Sequence, residues 1–155
     1  MNKQFVITQN VSVGKIEFGM ERTKVREILG ECSEYRNRQE DDNTADCFDI
    51  CQVFYSKNNT VEFIMFHTLD KIDLVWDKKI LTSMSKFELI SFFLELDKDL
   101  FIEDYGHGTI SIESNTLGVA CYFGKNICFH NDGNEFDKVE TISIGIKDYW
   151  LKKNI

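Results

Sequence analysis

The side chains of this chain that could do chemistry are mainly carboxylates, and they lie in two clusters. The chain has 26 Asp and Glu against 18 Lys and Arg, so its formal net charge is −8. Seven acids lie between residues 31 and 49: Glu31, Glu34, Glu40, Asp41, Asp42, Asp46 and Asp49. Five more lie between residues 95 and 104: Glu95, Asp97, Asp99, Glu103 and Asp104. A surface with this charge repels phosphates and attracts basic proteins, so we expect a protein partner and no nucleic acid.

The acids allow three interpretations. Paired carboxylates could supply a general acid and base or a Mg²⁺ site, but consecutive acids such as Glu40, Asp41 and Asp42 diverge in an extended segment. Ordinary surface charges could serve solubility alone. A recognition surface would steer a basic partner toward the protein. For this last interpretation the candidate partner-binding residues are Glu40, Asp41, Asp42, Asp46, Asp49, Glu103 and Asp104.

The cysteines do not predict a metal site. Their number, five, is odd, and free thiols are the ordinary state of cysteines in a cytosolic protein. Structural zinc usually needs two cysteine pairs or histidines at fixed spacing, whereas the closest pair here is Cys47 and Cys51. If both lie on one strand, they are about 13 Å apart. We therefore expect five free thiols, no metal and no cofactor.

A small enzyme or ligand-binding domain is the alternative class of function. Gly106, His107 and Gly108 are its strongest feature, because glycines let a ligand approach the backbone closely. Asp104 and Tyr105 precede this turn and could contribute to such a site. No catalytic triad and no phosphate-binding glycine loop can be identified from spacing. We therefore expect that the protein is not an enzyme, and keep the turn at 106–108 as the alternative site.

Hydrophobic periodicity predicts the elements that position these residues. Val25, Ile28 and Leu29 have the i, i+3, i+4 spacing of a helical face, and Gly30 is predicted to end that helix. The polar stretch 31–46 is predicted to be a loop. Hairpin turns are expected at 56–59 and 114–116. Strands are predicted at 5–7, 11–18, 48–55, 60–68, 72–81, 109–113, 117–123, 125–130 and 139–147.

The start of the second helix is the strongest local signal. Ser85 and Glu88 have the spacing of a capping box, and Met84 and Leu89 that of a hydrophobic staple. Apolar residues in 89–96 then predict a wide buried face. When Met20 is aligned with Met84 in the sequence, the two predicted helices coincide. This match indicates either a duplicated strand–helix–hairpin unit or chance. We predict an α+β fold in which two short helices pack on an antiparallel sheet.

Bulk properties place the chain in a broad class. At 155 residues it is predicted to be one domain, residues 1–155. No apolar run approaches the length of a membrane span, and the first residues are too polar for a signal peptide. We therefore expect a soluble, cytoplasmic protein with no membrane association.

One segment carries a resemblance to known proteins. Residues 13–30 read VGKIEFGMERTKVREILG, which resembles a recurring bacterial opening: a strand and Gly-Met lead into a short helix closed by Leu-Gly. This opening occurs in cytosolic immunity proteins that neutralise polymorphic or contact-dependent toxins, and in outer-membrane lipoproteins of the BamE-like type. The chain shows no lipobox cysteine near its start, which favours the first group. The resemblance implies a protein that binds a basic toxin domain, a nuclease for example, and occludes its active site. A housekeeping adaptor without a toxin partner is a further alternative.

Overall fold

The structure, a computed structural model, describes residues 2–36, 44–124 and 139–149. These residues form two α-helices, α1 (Arg22–Leu29) and α2 (Lys86–Leu96). They also form thirteen strands: β1 (Lys3–Thr8), β2 (Ser12–Val13), β3 (Ile16–Glu17), β4 (Ser33–Arg36), β5 (Thr44–Cys47), β6 (Cys51–Tyr55), β7 (Val61–Phe66), β8 (Ile72–Trp76), β9 (Lys79–Ile80), β10 (Phe101–Gly106), β11 (Thr109–Ser114), β12 (Val119–Phe123) and β13 (Thr141–Gly145).

The strands belong to two sheets. The larger sheet has eight antiparallel strands in the order β10-β11-β12-β13-β7-β6-β5-β4. The smaller sheet has five strands in the order β3-β2-β1-β8-β9, and its β1–β8 pair is parallel. The predicted α+β class with a mainly antiparallel sheet and two helices is confirmed. The second sheet was not predicted. Its strands β1 and β8 were expected, but their parallel pairing joins segments far apart in the sequence, and β2, β3 and β9 have only two residues each.

The element order repeats in the two halves of the chain. In each half a two-stranded hairpin leads into a helix, and four strands of the larger sheet follow. The two groups of four strands meet where β13 pairs with β7. The N-caps of the helices, Glu21 and Ser85, are aligned by the predicted register, and so are Val25 and Leu89, which are both 0% exposed. The repeated unit is longer than the strand–helix–hairpin that the sequence suggests.

One face of the larger sheet is covered by the helices and the smaller sheet. A row of side chains across five strands is at most 1% exposed: Ile112, Cys121, Ile142, Phe66 and Cys51. Phe5 of the smaller sheet packs on Phe66 with ring centroids 5.4 Å apart, and Trp76 packs on Phe93 of α2 at 5.8 Å. We call the covered face of the larger sheet, which carries this row of side chains, the inner face, and its opposite side the outer face.

The two helices begin in different ways. The Ser85 hydroxyl accepts a hydrogen bond from the Glu88 amide, and the Glu88 carboxylate accepts one from the Ser85 amide, so the predicted capping box is confirmed. The N-cap of α1, Glu21, makes no side-chain capping bond. Gly30 follows α1 with a φ of 91°, as expected for a glycine at a helix end. Neither described helix is long and apolar enough to cross a membrane.

Four predictions about the elements were wrong. The strand expected at 11–18 is a hairpin of β2 and β3, with a positive φ angle at Gly14. The stretch 31–46 contains β4 and β5, which its many acids concealed. Cys47 and Cys51 lie on adjacent strands around a turn, not on one strand. The extended segment 72–81 is a hairpin, with positive φ angles at Asp77 and Lys78. In addition, β10 was not predicted, and the strand expected at 125–130 lies outside the described residues.

Candidate protein-binding site

The structure separates the acids that the sequence groups as partner-binding. Glu103 and Asp104 are exposed on β10, an edge strand of the larger sheet, and Asp49 is exposed in the turn after β5. Strands β10 and β5 are six positions apart in the sheet order, which corresponds to about 29 Å at the usual strand spacing. The two clusters therefore do not form one patch. Glu40, Asp41 and Asp42 lie outside the described residues.

Asp46 is the buried centre of an ion-pair network. Its carboxylate is 0% exposed and lies 2.6 Å from Arg22 Nη2 and 2.8 Å from Arg26 Nη2. The Tyr55 hydroxyl donates to it at 3.0 Å, and Arg26 also contacts Glu34 at 2.8 Å. Burial tends to raise the pKa of Asp46, but the hydrogen bonds from Arg26, Arg22 and Tyr55 outweigh it and hold that pKa well below its usual range. The network fastens α1 to β5, and Asp46 offers no carboxylate to a partner.

At β10, β11 and β12 the outer face carries a group of aromatic and acidic side chains. The register places Glu103 opposite Ser111, and Ser111 opposite Tyr122. This row alternates with the buried row that contains Ile112, so its side chains point to the outer face. Phe101 and Glu113 are paired one step along the same face. We call Phe101, Glu103, Tyr105, Glu113 and Tyr122 the β10–β12 surface.

Three aromatic side chains of this surface are open to solvent. Phe101 is 53% exposed, Tyr105 55% and Tyr122 38%. Tyr105 lies in an irregular step of the pairing, yet its hydroxyl donates to Glu103 at 2.8 Å and lies 3.4 Å from Ser111 Oγ. These contacts fix the Tyr105 ring on the outer face. Within the part of the chain that the structure describes, the surface therefore presents three exposed aromatic rings, of which Tyr105 is held by these hydrogen-bond contacts.

The charge of this region has one sign. Residues 101–123 include Glu103, Asp104 and Glu113 but no Lys or Arg. Burial, and secondly the charge of Glu103, raises the pKa of Glu113. A cation placed between these carboxylates would relieve the repulsion and favour the ionised form of Glu113. The arrangement suits a Lys or Arg side chain from a partner.

The turn considered as an alternative ligand site forms the tip of the β10–β11 hairpin. Gly106, His107 and Gly108 have φ angles of 82°, 55° and 83°. Gly106 and His107 are exposed, and the Asp104 carboxylate accepts a hydrogen bond from the Gly106 amide at 2.8 Å. The glycines are thus explained by the tight turn. Within residues 2–36, 44–124 and 139–149, no group of three or more potential metal ligands occurs.

The described cysteines are free thiols. Cys51 and Cys121 are 1% exposed, while Cys32 and Cys47 are half-buried. Burial raises the pKa of Cys51 to about 12 and also raises that of Cys121, so neither is an activated nucleophile. Cys128 lies outside the described residues.

Sequence reasoning identified Glu103, Asp104 and, for the alternative site, Tyr105, but it missed Phe101 and Tyr122. The sequence pattern gave no signal for a strand here, because Phe101 and Ile102 are both apolar and Glu103 and Asp104 are both acidic, so that apolar and polar residues do not alternate. The acids of this stretch were interpreted as a polar segment instead. No protein-family model, no curated protein and no solved structure matches this chain.

Proposed function

We propose that this protein is an immunity protein that binds a basic toxin domain through the β10–β12 surface and blocks its active site. The observation that carries the proposal is that three exposed aromatic rings lie beside the carboxylates of Glu103 and Glu113, in a segment, residues 101–123, that contains no Lys or Arg. Exposed apolar patches on a folded protein mark interaction sites. Acidic neighbours select a basic partner and reject an acidic one.

The aromatic and acidic residues have separate roles in this proposal. Carboxylates act at long range and accelerate the encounter with a basic domain. Phe101, Tyr105 and Tyr122 provide the contact area that slows dissociation, as aromatic residues do at interface centres. In a nuclease the basic active site binds phosphates, and Glu103 and Glu113 would occupy those positions. Inhibition would then follow from occupation of the site, without any reaction.

A growth assay tests this function. The product of the gene adjacent to this one is first tested for toxicity, and the protein is then co-expressed with it while colony formation is measured. The wild type is expected to protect, and Glu103→Lys with Asp104→Lys to lose protection. A matched control, Glu17→Lys with Asp70→Lys, makes the same charge change at exposed sites of the smaller-sheet half and should protect fully. Protection by both double variants, or by neither, contradicts the proposed surface.

A further inference from the structure

The backbone edge of β10 is a second feature of the same region. Among the described strands β10 pairs only with β11, and all six of its residues are exposed. The pairing is regular from Phe101 to Asp104, and the irregular step comes only before Gly106. In an antiparallel pair, alternate residues direct their N–H and C=O groups away from the partner strand. The regular part of β10 can therefore accept a further strand.

The charges on β10 discriminate between possible occupants of this edge. If two copies of the chain paired through it, four carboxylates from Glu103 and Asp104 would meet along about 13 Å of shared edge. Like charges across a strand pair are destabilising. A strand with Lys or Arg side chains would instead place opposite charges beside Glu103 and Asp104. Phe101 and Ile102, which are 53% and 45% exposed, offer apolar contact at the start of the same strand.

We propose that β10 is a docking strand, onto which an extended basic segment of the partner adds as a ninth strand of the larger sheet. This inference rests on the proposed function and specifies how the partner is held. The added strand would continue the sheet, and the body of the partner would then lie over Tyr105 and Tyr122 on the outer face. Backbone hydrogen bonds would supply affinity, and the carboxylates would supply the preference for a basic sequence.

A synthetic peptide tests the docking strand without the natural partner. The probe is a labelled octapeptide of alternating Lys and Thr, and the control is the same peptide with every backbone nitrogen methylated. Both carry the same charge, but the control has no N–H donors. The unmodified peptide should bind about tenfold more tightly or better, and should slow amide hydrogen exchange in 101–104.

The outcomes separate this inference from the proposed function. Equal binding of the two peptides, or no slowing of exchange in β10, overturns the docking strand. If Glu103→Lys with Asp104→Lys still abolishes binding in that case, the acidic site remains and only the strand pairing fails. If the reversal has no effect, both ideas fail. The protein alone should sediment as a monomer, and a dimer with protected β10 amides would assign the edge to a second copy instead.

Discussion

Replacement of Asp46 by alanine should be among the most destabilising single changes in this protein. The carboxylate is 0% exposed and accepts hydrogen bonds from Arg22, Arg26 and Tyr55. Its removal leaves two guanidinium groups facing each other and a buried hydroxyl without its acceptor. Loss of one partner from a buried ion pair typically costs about 3–5 kcal/mol. Since small domains have about 5–15 kcal/mol of stability, this is a large fraction of the total.

The measurement is chemical denaturation of the wild type and Asp46→Ala at neutral pH. Asp49→Ala is the matched control, because it removes an exposed carboxylate three residues away. The control should change the free energy of unfolding by less than about 0.5 kcal/mol. If Asp46→Ala is as mild as the control, the network does not hold α1 on the sheet and the reasoning is refuted.

The pH dependence provides an independent check on the same residue. Hydrogen bonds hold the pKa of Asp46 in the folded state below its ordinary value of about 3.9. Its contribution is therefore fully present above that pH and is lost as the pH falls through and below it. The difference in stability between the wild type and Asp46→Asn should shrink below pH 4, by up to about 1.4 kcal/mol per pH unit. A constant difference down to pH 3 would show that the pKa is not depressed.

The remaining predictions concern the caps, the thiols and the aromatic surface. Ser85→Ala should lower the free energy of unfolding by roughly 0.5–2 kcal/mol. Glu21→Ser should stabilise α1 by about 0.5–1 kcal/mol, because that helix has no side-chain cap. An unchanged denaturation midpoint would contradict either prediction. Cys51 and Cys121 should react with a thiol reagent only after unfolding, and rapid native labelling of either, located by mass spectrometry, would show that its site opens. Tyr122→Ala should raise the dissociation rate of the proposed toxin complex about tenfold with little effect on stability. An unchanged rate would show that the ring is not part of the interface.

The parts of the fold that the sequence predicted are those fixed by local chemistry. The capping box at Ser85 and Glu88 depends on four neighbouring residues, and the turn at 56–59 depends on Asn59, which has a φ of 59°. Both signals are independent of the rest of the chain.

The strands β5 and β10 were missed because their side-chain patterns depend on the folded structure around them. Asp46 makes β5 look polar in the sequence. Its burial is possible because Arg22 and Arg26 of α1, which lie 24 and 20 residues earlier, pair with its carboxylate. Similarly, β10 looks like an acidic loop because both its faces are exposed at the sheet edge. The alternation of apolar and polar residues does not identify a strand whose buried polar residue is paired with another element, as in β5, or whose apolar residues are exposed, as in β10.

The association rate constant of the protein with the basic toxin domain proposed as its partner tests the central claim most directly. It should be measured at low and high salt for the wild type, for Glu103→Lys with Asp104→Lys, and for the control Glu17→Lys with Asp70→Lys. Charge acts over a Debye length of about 30 Å at 0.01 M salt and about 3 Å at 1 M. The account predicts that the β10 variant associates much more slowly than the control at low salt, and that the difference nearly disappears at high salt. Equal rates for all three proteins at low salt would contradict it.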